Sequence, residues 1–415
     1  MIERALADPS LAEILTIRPL HVVAVGKAAA AMARALAAVP HLVIRQVVAI
    51  GTHADEPLPP SIEWIESSHP YPDARSEVAG RRALAVAQAV HSGEVLVILL
   101  SGGASALMAA PVEGIRLADK VDTTRLMMNA GADIHTLNTV RRHLSNVKGG
   151  RLAAACVGTT ITLALSDVVG DDLNAIGSGP GVADSTTWQD AAAALDRFGG
   201  SQHLDAVRAV IQRGLAGEVP DTPKPGHPSL ARSRARVIGG RRDAMAGARV
   251  AAEARGYGVL SIDEPVVGEA RIAGPAWLDR ARQLSRDAVG PVCVISGGET
   301  TVRVTGNGLG GRNLEFALSI AEALAVERPG RTEVRPNIAA ASIGTDGIDG
   351  SSGVAGALVD STTMARAAQA GLETPGHYLA TNNSLAFFAP LGDVIRLGRT
   401  QTNVGDLQAI VIHEP

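Results

Sequence analysis

Short apolar runs alternate with longer stretches of helical periodicity along most of this chain. The first run, at 21–25, reads His21-Val22-Val23-Ala24-Val25, stops at Gly26-Lys27 and passes into the alanine-rich stretch 28–38. A second, at 95–100, closes on Ser101-Gly102-Gly103, and a third, at 160–165, closes on Ser166-Asp167. Unbroken apolar runs of this length, bounded by glycine or polar turns, predict strands buried on both faces of a parallel sheet. Their alternation with helices predicts right-handed βαβ crossovers. The expected fold class is therefore α/β.

Residues 221–229 carry Pro223, Pro225, Pro228 and Gly226 in close succession, which predicts an interdomain linker between domains at 1–225 and 230–415. Beyond it the pattern restarts. Residues 236–240 enter a helical segment at 241–253, and the run 292–295 closes on Ser296-Gly297-Gly298. A strand-like stretch at 300–305 precedes a glycine-rich loop and a helix from Arg312 to about Glu327, with Leu314, Ala317, Leu318, Ala321 and Leu324 on one face. The next strand-like run begins near Asn337 and leads through 338–342 to Gly344-Thr345-Asp346. The halves echo each other faintly at their strand–glycine–helix junctions. Convergence on the few available solutions explains this more readily than duplication.

Composition narrows the function classes. The 415 residues are 46% apolar but only 2% aromatic, so the core is aliphatic and offers little stacking surface for bases. A formal charge of −4 supplies no basic field for nucleic acid or a polybasic membrane patch. No run of about 18 apolar residues predicts a membrane span, and the acidic start predicts no signal peptide. The two cysteines, Cys156 and Cys293, lie in separate apolar runs without metal-binding spacing, which points to a reducing, cytoplasmic setting.

Ligands of open α/β sheets gather at the carboxyl ends of strands, and the chemically suggestive residues follow the apolar runs. Lys27 adds a point charge at a helix start, where backbone amides favour anions; a surface lysine is the plainer reading. A Walker A loop would need glycine where His21 stands, so this is not a P-loop. Ser101-Gly102-Gly103-Ala104-Ser105 lets a phosphate or carboxylate approach the backbone, or simply makes a tight turn. No G-x-S-x-G elbow occurs, which removes support for serine hydrolase chemistry. Asp167, Asp171 and Asp172 could hold Mg²⁺, receive a proton from an alcohol, or cap a loop. Asp346 and Asp349, in Gly344-Thr345-Asp346-Gly347-Ile348-Asp349-Gly350, offer hard oxygen ligands or a turn. The loop Gly306-Asn307-Gly308-Leu309-Gly310-Gly311 contains G-x-G-x-x-G, but no acidic residue closes a following strand as a dinucleotide site requires. It reads better as a loop around nucleotide phosphates, with Arg312 as a cationic fork. An arginine at a helix N-terminus is opposed by the helix dipole, which favours a ligand-bound role.

Taken in order, these segments resemble the glycerate 2-kinases that carry a C-terminal MOFRL domain, some of which are named hydroxypyruvate reductases. The resemblance rests on Val25-Gly26-Lys27, His69-Pro70-Tyr71-Pro72-Asp73, Ser101-Gly102-Gly103, Arg142-His143-Leu144-Ser145 and Lys148-Gly149-Gly150-Arg151-Leu152. It continues through Ser166–Asp172, Ser178-Gly179-Pro180, Ser296–Thr300, Gly310–Asn313, Gly344–Gly350 and Thr402-Asn403-Val404. It implies two α/β domains, the first Rossmann-like, with the active site in the cleft between them. It implies transfer from ATP, with Mg²⁺, to the 2-hydroxyl of D-glycerate. The family's cleft lysine and arginine fall on Lys27 and Arg312.

Residue reading and resemblance together suggest roles. Lys27, Arg312 and Asp167 would be catalytic, and His69, Ser101, Gly102, Gly103 and Ser105 would hold glycerate. Gly297, Gly298, Glu299, Gly308, Gly310, Gly311, Asn313, Thr402 and Asn403 would meet the nucleotide, and Asp167, Asp346 and Asp349 the metal. Three departures bear on substrate preference and nucleotide affinity: Ser351-Ser352-Gly353-Val354 after Gly350, Arg399 in the late glycine loop, and Asn307 where relatives often carry lysine. A small-molecule partner is expected, with a homodimer left open. The alternatives are an NAD(P)H-dependent hydroxypyruvate reductase and a non-catalytic sugar-acid sensor.

Overall fold

The three apolar runs of the first half are strands of one sheet in the computed structural model, which describes residues 1–54, 56–200, 204–325 and 338–413. The chain divides into two units, Met1–Ile238 and Gly239–Pro415. In the first, strands β1 (Leu20–Val25), β2 (Ile44–Gly51), β3 (Ile62–Glu66), β4 (Val95–Leu100), β5 (Thr159–Leu165) and β6 (Ser233–Gly239) lie in the order β3-β2-β1-β4-β5-β6. Pairings among the first five are parallel. Side chains of β1 alternate between two cores. Val22 and Ala24 pack with Met32 and Leu36 of helix Ala29–Ala37, whereas Val23 and Val25 pack with Ala83 and Val86 of helix Ala74–Gln88. Coverage of both faces is why the central strands β1 and β4 are buried throughout and read as apolar runs.

The strand order has a functional consequence. The chain builds outward from β1 to β3, then returns to the other side of β1 with β4. The carboxyl ends of β1 and β4 therefore flank the topological switch point, where open α/β sheets bind ligands. A third core, of Met127, Leu137, Val140, Trp188, Val207 and Ile211 among others, joins helices Leu117–Asn129, Ile134–His143, Trp188–Phe198 and Asp205–Leu215.

The expected linker is part of the first unit. Thr222 is buried and donates from Oγ1 to Asp184, while Asp221 pairs with His143 at 2.9 Å. The strand expected to open the second half is instead β6, at the edge of the first sheet, and the division falls after it.

The second unit contains β7 (Gly258–Ser261), β8 (Val266–Glu269), β9 (Val292–Thr301), β10 (Ile338–Gly344), β11 (Gly356–Asp360), β12 (Val394–Ile395) and β13 (Asp406–Ile412). Their order is β12-β11-β10-β13-β9-β7, with β8 also paired to β9. This second sheet is mixed, as an α/β unit allows. Only β7 and β8 run parallel to β9; β9, β13, β10, β11 and β12 pair antiparallel. Ser296–Gly298 was expected to end a strand, yet β9 continues through it to Thr301. Close docking of β8 explains the glycine: a Cβ on Gly298 would lie 1.9 Å from the Val266 carbonyl oxygen. Helix Arg312–Leu324 buries all five apolar residues expected on its inner face, in a core with Phe316 and Trp277. Its expected end near Glu327 and the strand start near Asn337 lie outside the described residues.

Candidate active site

At the switch point of the first unit, the turns after β1 and β4 are stitched together. The Lys27 amide donates to the Gly102 carbonyl at 2.9 Å, and the Ala28 amide donates to Ser101 Oγ at 3.1 Å. Gly26 sits at φ +128°, and a Cβ there would meet Ser101 Oγ at 2.1 Å. Ser101 is fully buried in this stitch, so its hydroxyl holds the two turns in register. The Lys27 side chain is exposed beside it.

His69, Gly103 and Ser105 are brought together. They line a cavity of about 340 Å³ in the first unit, within the usual range for small-molecule sites. The His69 ring lies over Gly103, where a Cβ would come within 3.1 Å of it. Leu117, Val121 and Ala109 supply apolar wall, and Lys120, Arg141 and Lys148 supply charge. Lys148 Nζ donates to Ser105 O at 2.8 Å and Oγ at 3.2 Å, and to Met108 O at 3.4 Å. Ser105 Oγ in turn lies 3.0 Å from Ser178 Oγ, which donates to Asn138. Lys120, on helix Leu117–Asn129, is buried and its Nζ has no hydrogen-bond partner.

These three cations face one another rather than carboxylates. Burial, with repulsion from Arg141 and Arg151, brings the Lys120 ammonium down to about 7. Burial, then Lys120 and Arg141, holds Lys148 well below the usual lysine value. Burial also lowers Arg141. Sequence reasoning assigned none of the three a role. The signal was present for Lys120, which shares the helix's buried stripe with Thr123 and Met127.

The second unit gathers a different network. Arg312 pairs through Nη1 with Glu299 at 2.8 Å and through Nε with Asp406 at 2.8 Å. Burial alone would lower its pKa, but Asp406 and Glu299 outweigh it and keep the guanidinium charged. Those two carboxylates also offset the helix dipole, so the position of Arg312 needs no ligand to explain it. Asn313 is fully engaged, with Nδ2 donating to Asp406 and Asp349 and Oδ1 accepting from Ser342.

The glycine loop before this helix packs on its own chain. Cβ atoms on Gly306, Gly308, Gly310 and Gly311 would lie 2.3–2.4 Å from atoms of Thr381, Asn383, Ser384 and Asp349. The amides of Gly306, Gly308 and Leu309 donate to Asn382 Oδ1, Thr381 O and Asn383 Oδ1. Close approach of a phosphate was the expected reason for these glycines; close approach of residues 381–384 and 349 is the reason observed. Asp349 is buried and accepts from the Asn313 and Leu314 amides at 3.1 and 2.8 Å, capping helix Arg312–Leu324. Asp346 accepts from the Ile348 amide at 3.2 Å. Thr402 and Asn403 follow on the chain segment that enters β13; the Val404 amide there donates to Thr345 Oγ1 at 3.0 Å. Asp167 is half-buried just beyond β5. Among the described residues, no three His, Cys, Asp or Glu side chains are grouped to hold a metal ion.

Residues 1–212 match the family described as Domain of unknown function (DUF4147), and residues 292–406 match the MOFRL family. A D-glycerate 2-kinase from Thermotoga maritima is 36% identical, covering 93% of this chain and 88% of the relative. A protein of Agrobacterium vitis, provisionally named hydroxypyruvate reductase, is 38% identical over 98% of this chain and 92% of its own length. The solved structure of glycerate kinase from Thermotoga maritima superposes with a TM-score of 0.83 at 35% identity, covering 99% of this chain and 94% of that one. The chain belongs to the glycerate 2-kinase family whose members end in a MOFRL domain.

Proposed function

We propose that this protein is a glycerate kinase, transferring the γ-phosphoryl group of Mg·ATP to the 2-hydroxyl of D-glycerate. The observation that carries the reading is the near full-length likeness, in sequence and in fold, to glycerate kinases. The substrate oxygen attacks the γ-phosphorus, the bond to the β–γ bridging oxygen breaks, and the hydroxyl proton passes to a base, for which Asp167 is the candidate. Mg²⁺, entering with ATP, neutralises phosphate charge. Lys27 in the first unit is one candidate for stabilising the transferring group; in the second unit, Arg312 is another, and Glu299 and Asp406 hold its fork in one orientation. His69, Gly103 and Ser105 serve the acid substrate. Two free, buried cysteines fit a reducing, cytoplasmic setting.

Incubation with ATP, Mg²⁺ and D-glycerate should give 2-phosphoglycerate by phosphorus NMR; folded protein that forms no phosphoglycerate sinks the reading. Lys27→Ala or Arg312→Ala should lower kcat by on the order of 10²–10³. The naming of one relative as a reductase supports a second assay, NADH oxidation with hydroxypyruvate in the absence of ATP. We expect none, because the G-x-G-x-x-G loop has given several of its amides to residues 381–383.

A further inference from the structure

Three cations without an acidic partner at one cavity are unusual in a folded protein, because each buried charge needs compensation. Lys148 has partial compensation from two carbonyls and a hydroxyl. Lys120 has none: its Nζ is buried without any hydrogen bond, although the side chain lines open space. Arg141, on the neighbouring helix Ile134–His143, lines the same space. Burial first, and then repulsion from neighbouring cations, lowers both lysines, with no carboxylate opposing it. An anion in the cavity would satisfy the Lys120 donors and the Arg141 fork together.

The cavity is graded from one end to the other. Lys120 and Lys148 are only 6% and 1% exposed, whereas His69 and Tyr71 are exposed. Gly103, beside His69, belongs to the turn at the switch point that also holds Lys27. A ligand entering by its anionic end would leave its opposite end near that turn. A small hydroxy acid has this shape: a carboxylate at one end, hydroxyls toward the other.

We propose that Lys120 and Arg141 bind the carboxylate of the acceptor acid, with Lys148 as a positioning residue that fixes Ser105 and adds charge. The cavity then selects hydroxy acids over polyols of the same length. This rests on the glycerate kinase reading for the identity of the acid, but the site is tested separately from turnover.

Isothermal titration without nucleotide should show that D-glycerate binds and glycerol does not. Lys120→Met should weaken glycerate binding tenfold or more, and raise its KM similarly, with the KM for ATP within twofold of wild type. Lys120→Arg, which restores charge, should recover most of the affinity. Since Lys120 Nζ has no partner to lose, Lys120→Met should melt no lower than wild type. A second variant, Arg141→Met, should weaken glycerate in the same way. If both Met variants fold and bind glycerate as wild type does, the proposal is overturned while the kinase reading stands. If glycerate binds in a Lys120-dependent way but is not phosphorylated, the site stands and the kinase reading falls. Inorganic phosphate that competes with glycerate more tightly than glycerate itself binds would mark a phosphate site and overturn the carboxylate assignment.

Discussion

Asp349→Ala separates two accounts of one carboxylate. As a metal ligand, Asp349 would matter for Mg²⁺; as the cap of helix Arg312–Leu324, it matters for stability. Its oxygens accept from the Asn313 and Leu314 amides and from Asn313 Nδ2 at 3.3 Å. Removing them orphans two buried amides at about 1–3 kcal/mol each. Against this stands the burden of the charge itself. Burial first, then repulsion from Asp406 over the opposing amide bonds, raises Asp349 to about 6. At neutral pH that displacement corresponds to about 3 kcal/mol, which the alanine variant regains. The net effect at pH 7 then lies between a gain of about 1 kcal/mol and a loss of about 3 kcal/mol. Because the folded value lies above the unfolded one, the carboxyl favours the fold below pH ~4, and that contribution fades as pH rises through about 6. The variant should therefore be more destabilised at pH 5 than at pH 7. Urea unfolding at both pH values measures this, and hydrogen exchange at Asn313 and Leu314 should accelerate. An unchanged midpoint at both pH values, together with a tenfold higher Mg²⁺ requirement, would refute the cap and restore the metal ligand.

Three other outcomes follow from buried contacts. Lys120 has a folded pKa of about 7, below its unfolded value, so the unfolded chain keeps a proton that the folded chain releases. Wild-type stability should include a term that rises between pH ~7 and ~10, and Lys120→Met should remove that slope and add on the order of 2–4 kcal/mol at pH 6, read from melting curves across pH. Arg142→Met strips the partner at 3.2 Å from Asp184, which is 1% exposed, and should cost about 3–5 kcal/mol by denaturant unfolding. Gly308→Ala places a Cβ 2.4 Å from that of Asn383 and should lower stability by about 1–3 kcal/mol, by the same measurement.

The first sheet was legible because each of its central strands is buried on both faces, so the apolar run is the strand. In β10 and β13 one residue in two is only half-buried, and the short alternating pattern they leave in the sequence does not state direction. Ser296-Gly297-Gly298 looked like the Ser101-Gly102-Gly103 turn, yet one lies inside a strand and the other at a helix start. The Pro-rich segment misled for a related reason. Proline halts a strand, but Asp221 and Thr222 tie that segment to His143 and Asp184, partners distant in sequence.

For the site, the same limitation has a sharper form. Glycine announces that something comes close to the backbone, without saying what. At Gly103 it is the His69 ring, on the wall of a cavity. At Gly306, Gly308, Gly310 and Gly311 it is the chain itself. What distinguishes the two is charge left without compensation. Arg312, one of the two cations that the sequence singled out, has two carboxylates of its own. Lys120, which drew no notice among the apolar and small residues of its helix face, has none and lines open space. A buried cation that the fold does not pair is a stronger pointer to an anionic ligand than a paired one at a helix start, because only the former has its stabilising partner still to come.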